Sequence, residues 1–156
     1  MGFAYGALAR HGGAAFGVAF AAASETVAFS IARWTSHHLD RFAGPADPDV
    51  VRMFFWHLNE EVGHKSVAHD VWAVTPGRRV LYPIAATLTL VLLACFVGTA
   101  CLAQLGRRLI NPLTWWRLVA ASVSVAFEVL PTLAASALRS HDPRGLSDPV
   151  GLACVR

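Results

Sequence analysis

A carboxylate and an imidazole one helical turn apart are the groups in this sequence best suited to chemistry. Glu61 and His64 are three positions apart, and His57 precedes Glu61 by four positions. Residues three or four apart share one face of a helix. Carboxylate oxygens and imidazole nitrogens are donors that iron, manganese and zinc accept in proteins. The spacing therefore predicts a metal site with Glu61, His64 and His57 as ligands.

The surroundings of these groups are apolar, which bears on where they point. Aromatic and valine side chains occupy most other positions of the same helix: Phe54, Phe55, Trp56, Val62, Val67, Val71 and Trp72. Burying a carboxylate among them is costly unless a cation or a donor pairs with it. We therefore expect the stripe to face the interior and hold a cation. The alternative is a solvated stripe in which Glu60, Glu61 and Lys65 form pairs along the helix.

Glu25 is the predicted partner of this stripe. It is the only acidic residue among the first 39, and it lies mid-helix among alanine, valine and phenylalanine, where a lone carboxylate needs a buried partner. Antiparallel pairing across the proline-containing break at 44–48 brings Glu25 and Glu61 to similar distances from the turn, within about one and a half helical turns. A Glu-x-x-His helix facing a Glu from another helix is typical of metal sites in bundle cores.

The elements that would position these residues are all helical. Apolar periodicity and proline or glycine breaks predict helices over 14–42, 48–74, 80–106 and 113–138, with Asp47 as N-cap before Pro48 and a coil tail over 139–156. No strand-like alternation occurs. The prediction is one all-α domain over 1–156, in which 14–75 forms the metal-site helix pair and 80–138 forms an apolar helix pair.

The apolar pair leaves two hypotheses open. Residues 80–106 carry no formal charge, and about 20 apolar residues suffice to cross a bilayer as a helix. The second helix is interrupted by Arg117, Glu128 and Pro131, so Glu128 is expected either in a polar contact within the bundle or at an interface. The pair is a transmembrane hairpin or the wall of a soluble bundle. The expected location is the cytoplasm, or a membrane with the metal site on its cytoplasmic side.

Composition excludes several classes of protein. With 55% hydrophobic and 15% charged residues, the chain is too apolar to be disordered. Its net charge of +3 is scattered, so no nucleic-acid partner is expected. Cys95, Cys101 and Cys154 lack CxxC spacing, which argues against a disulfide framework. His37 and His38 are expected to cap the first helix. A small hydrophobic substrate fits the apolar helices, and homo-oligomerisation is left open.

Two segments carry a resemblance to a known family. They are Glu25-Thr26-Val27-Ala28-Phe29-Ser30 and the longer run from Trp56 to Trp72. The second is similar to the pattern Trp-His-x-x-Glu-Glu-x-Glu-His-Lys-x-Val-Ala-Phe-Asp-Val-Tyr of the bacterial predicted metal-dependent hydrolases, a ferritin-like group. Gly63 stands where that family has Glu, and His69 where it has Phe. Family members are longer, and this chain resembles their C-terminal half, without the upstream Glu and second Glu-x-x-His.

The resemblance implies a ferritin-like bundle with Glu25, Glu61 and His64 as ligands of a divalent metal and with His57, Glu60 and Asp70 as supporting groups. A dinuclear centre is expected, with iron, manganese and zinc all open. The metal would activate water for hydrolysis, and Glu60 would be the general base. A di-iron oxidase or oxygenase would use the same ligands. An inactive, truncated, membrane-associated helical protein is the third hypothesis.

Overall fold

A computed structural model describes residues 2–42, 47–75, 78–106, 112–137 and 142–149. The helices are α1 (Gly2–Ser36), α2 (Pro48–His64), α3 (Val67–Ala73), α4 (Arg78–Gly106) and α5 (Pro112–Ser136), with 3-10 turns at Leu39–Phe42 and Pro143–Gly145. None of the described residues is in a β-strand. The prediction of an all-α fold is confirmed.

Helix α1 is the central element, because it contacts each of the other four helices. It is kinked at Gly13, whose φ of 73° lies in the left-handed region that favours glycine. The start predicted at 14 follows this kink directly. The helix ends at Ser36 rather than at 42, and the Nδ1 atom of His38 lies 2.8 Å from the carbonyl oxygen of Trp34. The capping role predicted for His38 is confirmed.

The predicted helix over 48–74 is wrong in one respect, since the chain breaks at Lys65–Ser66 into α2 and α3. Its start is as predicted: Asp47 accepts a hydrogen bond from the backbone N–H of Asp49 at 2.9 Å, and proline follows at the first helical position. The last turn of α2 tightens where Lys65 N–H bonds the carbonyl of Val62. As a result, α3 begins as a separate helix, and its first backbone N–H groups need acceptors other than the carbonyls of α2.

The main core lies where small residues of α1 meet the other helices. Its buried members are Ala19, Ala22, Ala23, Val27, Ala68, Trp72, Tyr82, Ala85, Ala86, Val129 and Leu133. Alanine on α1 lets the neighbouring helices approach closely. A chain of hydroxyl contacts also joins α1 to two of these neighbours. The Tyr82 hydroxyl lies 3.5 Å from that of Thr26 and 2.5 Å from that of Ser136. This chain ties α1, α4 and α5 together at one level.

A second polar contact fastens α1 to α5. Arg33 forms an ion pair with Glu128 and donates a further hydrogen bond to the Thr132 hydroxyl at 3.1 Å. Both charged side chains are largely buried, and each neutralises the charge of the other away from bulk water. Two expectations were open for Glu128, a polar contact within the bundle and a position at an interface, and the structure shows the first.

Helices α4 and α5 each pack mainly against α1, so the predicted pairing of the two with each other is not what holds them, and both are covered over only part of their length. Buried residues of α4 lie between Tyr82 and Thr89, and those of α5 lie between Val129 and Ser136. The remainder exposes large apolar side chains, among them Val91, Leu92, Phe96, Val97, Leu102, Leu113, Trp115, Trp116, Val123 and Phe127. Three helical segments, Gly13–Ser36, Val80–Ala103 and Trp115–Ser136, are long and apolar enough to cross a membrane. The fold therefore allows membrane association.

Candidate metal centre

The side chain of Glu25, on α1, accepts a hydrogen bond from the first turn of α3. Its Oε2 atom accepts a hydrogen bond of 2.9 Å from the backbone N–H of Ala68, whereas the N-cap residue Ser66 makes no capping bond through its side chain. The first N–H groups of a helix lack partners within it, and a negative charge is favourable there. Glu25 thus acts as a cap supplied by another helix. Sequence reasoning missed this role because it did not place a helix start at this position.

The charges of three predicted ligands act on one another at this break. Burial raises the pKa of the Glu25 carboxyl and is the largest effect on it. The Ala68 N–H bond and the charge of His64 lower that pKa, and the charge of Glu61 raises it. The structure therefore brings Glu25, Glu61 and His64 into one neighbourhood, where the two carboxylates repel each other.

The predicted stripe on α2 is less buried than expected. The Nε2 atom of His57 lies 3.5 Å from Oε1 of Glu61, and their side chains are 62% and 23% exposed. Glu60 and His64 are exposed as well. The inward face of α2 is formed instead by apolar residues, Phe55 and Leu58, which pack against Ala32 of α1. The expectation that the whole stripe faces the interior is therefore wrong, and only Glu61 is substantially covered.

The donor types fit a divalent ion, but their present placement does not surround one. Within the described ranges, no three His, Cys, Asp or Glu side chains are arranged to hold a metal. Carboxylate and imidazole donors suit iron, manganese and zinc, and a cation would relieve the repulsion between Glu25 and Glu61. Closing a shell would require the exposed side chains of His57 and His64 to turn towards Glu61 and Glu25.

A C-terminal segment, residues 142–149, fastens onto the same break. The Nζ atom of Lys65 donates to the carbonyl of Leu146 at 2.8 Å and to Asp148 at 2.5 Å. Arg144 donates to Asp70 at 2.5 Å. Asp70, which was predicted as a supporting group of the metal site, thus forms an ion pair with this segment. Sequence reasoning missed these contacts because they join positions more than 70 residues apart.

Comparison with known proteins gives one match. A family model described as "Predicted metal-dependent hydrolase" matches residues 3–145 of the 156-residue chain. The match includes nearly all of α1, the break between α2 and α3, and helices α4 and α5. No curated protein and no solved structure matches significantly.

Proposed function

This chain belongs to the family of predicted metal-dependent hydrolases, and we propose that Glu25, Glu61 and His64 hold the divalent metal that this family implies. The observation that carries the proposal is the 2.9 Å hydrogen bond from the Ala68 N–H to Glu25, which brings this carboxylate to the break between α2 and α3, four residues after His64 and seven after Glu61. His57 is the fourth donor, since it already lies beside Glu61. A dinuclear centre of the bundle type uses four carboxylates and two histidines. A second ion would need further donors, which a second copy of the chain could supply.

In the proposed hydrolysis, Glu60 and Glu25 would have different roles beside the metal. A divalent ion held there would lower the pKa of a bound water to about 7 and so supply a nucleophile at neutral pH. Glu60 is exposed and adjacent in sequence to Glu61, so it would be available to accept a proton as general base. Glu25 keeps its bond to the Ala68 N–H, which orients its carboxylate at the junction of three helices.

Metal content of the purified full chain tests the ligand assignment. We expect Glu61→Ala combined with His64→Ala to abolish metal binding, measured by elemental analysis after dialysis, and to leave the helix content unchanged. The matched control removes a carboxylate and an imidazole elsewhere, through Asp49→Asn and His37→Ala, both at exposed positions. Retained metal in the ligand variant would contradict the assignment.

Hydrolysis by the metal-loaded chain tests the reaction. A panel of nitrophenyl carboxylic and phosphoric esters should be turned over with metal and not after chelation. Glu60→Gln should keep the metal while lowering kcat by about 10²–10⁴-fold, as expected for a lost general base. Two irons with an oxygen-sensitive visible spectrum and no hydrolysis would instead identify the oxidase alternative.

We also propose that the uncovered parts of α4 and α5 enter a lipid bilayer. The support is the run of exposed apolar side chains from Val91 to Leu102 and from Leu113 to Val123, since contiguous exposed apolar patches mark membrane or protein contacts. The same proposal places the metal site outside the bilayer, on its cytoplasmic side.

A further inference from the structure

A cavity of about 280 Å³ lies between α1 and α3, outside the groups already assigned. Five residues of α1 between Gly13 and Ala21 form one wall, and Val67, Ala68 and Val71 of α3 form the other. All of these residues are glycine, alanine or valine. Its volume is close to the lower end of the range of small-molecule pockets, roughly 300–1,000 Å³. Four of its lining residues, Gly13, Ala14, Val67 and Val71, are exposed, so the cavity is a groove open to solvent. It is large enough for part of a ligand and offers it apolar contacts.

The cavity adjoins the candidate metal centre. Ala68 lines it, and the N–H of the same residue donates to Glu25. Ala21, at the end of the α1 wall, lies one helical turn before Glu25, and His64 precedes Ala68 by four positions. A ligand that fills the cavity would therefore end where the proposed metal ligands begin.

The chemistry of the walls selects the occupant. Their side chains offer no hydrogen-bond donor or acceptor, so they favour an apolar group, whose contact with them removes apolar surface from water. An unbranched aliphatic chain is such a group. The adjoining carboxylates and imidazole would then face the polar end of the same molecule.

We propose that this cavity binds the aliphatic chain of the substrate and places the adjacent acyl bond beside Glu25, Glu61 and His64. The inference rests on the proposed hydrolase function and specifies its substrate class, namely an ester or amide that carries an unbranched alkyl or acyl chain. Affinity should rise by about fourfold for each added methylene group until the cavity is full.

One pair of substitutions separates the cavity from the apolar surface in general. A Cβ atom built at Gly17 meets nothing within 4 Å, and Gly17 lines the cavity, so Gly17→Leu is the change chosen to fill it. Gly98→Leu is the matched control: it is the same change inside the exposed part of α4, where a Cβ atom also meets nothing within 4 Å. Both changes replace a helical glycine, so both should stabilise their helix to a similar degree.

The experiment maps where an alkyl probe binds to the full chain. A ten-carbon alkanoate bearing a diazirine is photo-crosslinked to the protein, and labelled peptides are identified by mass spectrometry. Labelling at 13–21 and 67–71 is expected in the unchanged chain and in Gly98→Leu, and we expect it to fall by more than about tenfold in Gly17→Leu. Unlabelled decanoate should compete, and butanoate should not. A phosphatidylcholine carrying the same diazirine distinguishes a lipid source of the chain from a free one.

The outcomes distinguish this inference from the proposed function. Labelling confined to α4 and α5, or equal labelling in Gly17→Leu, would overturn the alkyl site even if ester hydrolysis were observed. Loss of a dimer in Gly17→Leu with unchanged labelling would assign the cavity to a second copy of the chain and would also overturn it. Labelling at the cavity should persist in the Glu61→Ala, His64→Ala variant. If it does while no ester is hydrolysed, the alkyl site stands and the hydrolase proposal fails.

Discussion

At the residue scale, Glu25 has one role that the structure shows, as a cap, and one that we propose, as a metal ligand. Its carboxylate accepts the N–H of Ala68 and so begins α3, and its charge responds to both Glu61 and His64. The capping task needs only an acceptor oxygen, whereas binding a divalent ion needs the negative charge. A single residue can therefore stabilise the fold and serve the site, and two substitutions at this position can tell the tasks apart.

We predict that Glu25→Gln will preserve the fold and weaken the metal site. The amide oxygen of glutamine can still accept the Ala68 N–H, but it carries no charge, so metal affinity should fall by more than about tenfold. Glu25→Ala should lose the cap as well and lower the free energy of unfolding by about 0.5–2 kcal/mol. Metal titration and chemical denaturation measure the two effects. Unchanged metal affinity in Glu25→Gln would limit this residue to its capping role.

At the scale of elements, the break between α2 and α3 is the feature that organises the site. It exposes the N–H groups that Glu25 binds, and it carries Lys65, whose ammonium group lies 5.5 Å from the centre of the Phe29 ring. The C-terminal segment 142–149 holds this lysine through Leu146 and Asp148. The break is thus supported from α1 on one side and from the C-terminal segment on the other.

We predict that Lys65→Met will release the C-terminal segment. Methionine keeps most of the aliphatic stem over Phe29 but cannot donate to Leu146 or Asp148, so backbone amides of 143–149 should exchange hydrogen faster. The free energy of unfolding should fall by about 0.5–1.5 kcal/mol. Hydrogen exchange with mass spectrometry measures the first effect and denaturation the second.

The control for this prediction is Arg52→Met, which removes an ion pair to Asp49 whose two side chains are well exposed. An exposed pair of this kind contributes about 0–1 kcal/mol. The control should leave exchange at 143–149 unchanged. Equal exchange in the lysine variant and in the unchanged chain would mean that other contacts hold the segment.

At the scale of the whole molecule, burial is unevenly distributed along the bundle. The polar chain of Thr26, Tyr82 and Ser136 and the ion pair of Arg33 with Glu128 join α1 to the covered parts of α4 and α5. Beyond those parts, α4 and α5 continue with apolar side chains and little cover. This uncovered surface suits lipid and is the basis of the membrane proposal.

We predict that Trp115 and Trp116 will contact lipid. Both side chains are exposed on α5, so brominated phospholipids in vesicles should quench their fluorescence when the full chain is bound. Replacing both by phenylalanine should remove most of the quenching. Trp56→Phe is the control, because Trp56 is also exposed but lies on α2, which is not proposed to enter lipid. Quenching that disappears in the control and persists in the double variant would place lipid against α2 and contradict the prediction.

The sequence by itself was enough to establish the features that depend on neighbouring residues. Apolar periodicity predicted the all-α fold, and Asp47 followed by Pro48 predicted the start of α2, because capping and helix periodicity act over a few positions. The motif around Glu61 and His64 led to the family that the comparison then showed. The role of each of these residues as a ligand stays a prediction.

Only the tertiary structure decided the features that depend on distant residues. The break after α2 goes with a bond between Glu25 and Ala68, which are 43 positions apart, and no local pattern predicts that contact. The exposure of His57 and His64 follows from the packing of Phe55 and Leu58 against α1, which sets the rotation of α2. Helix periodicity identifies one face of a helix, but the neighbouring elements determine which face is covered.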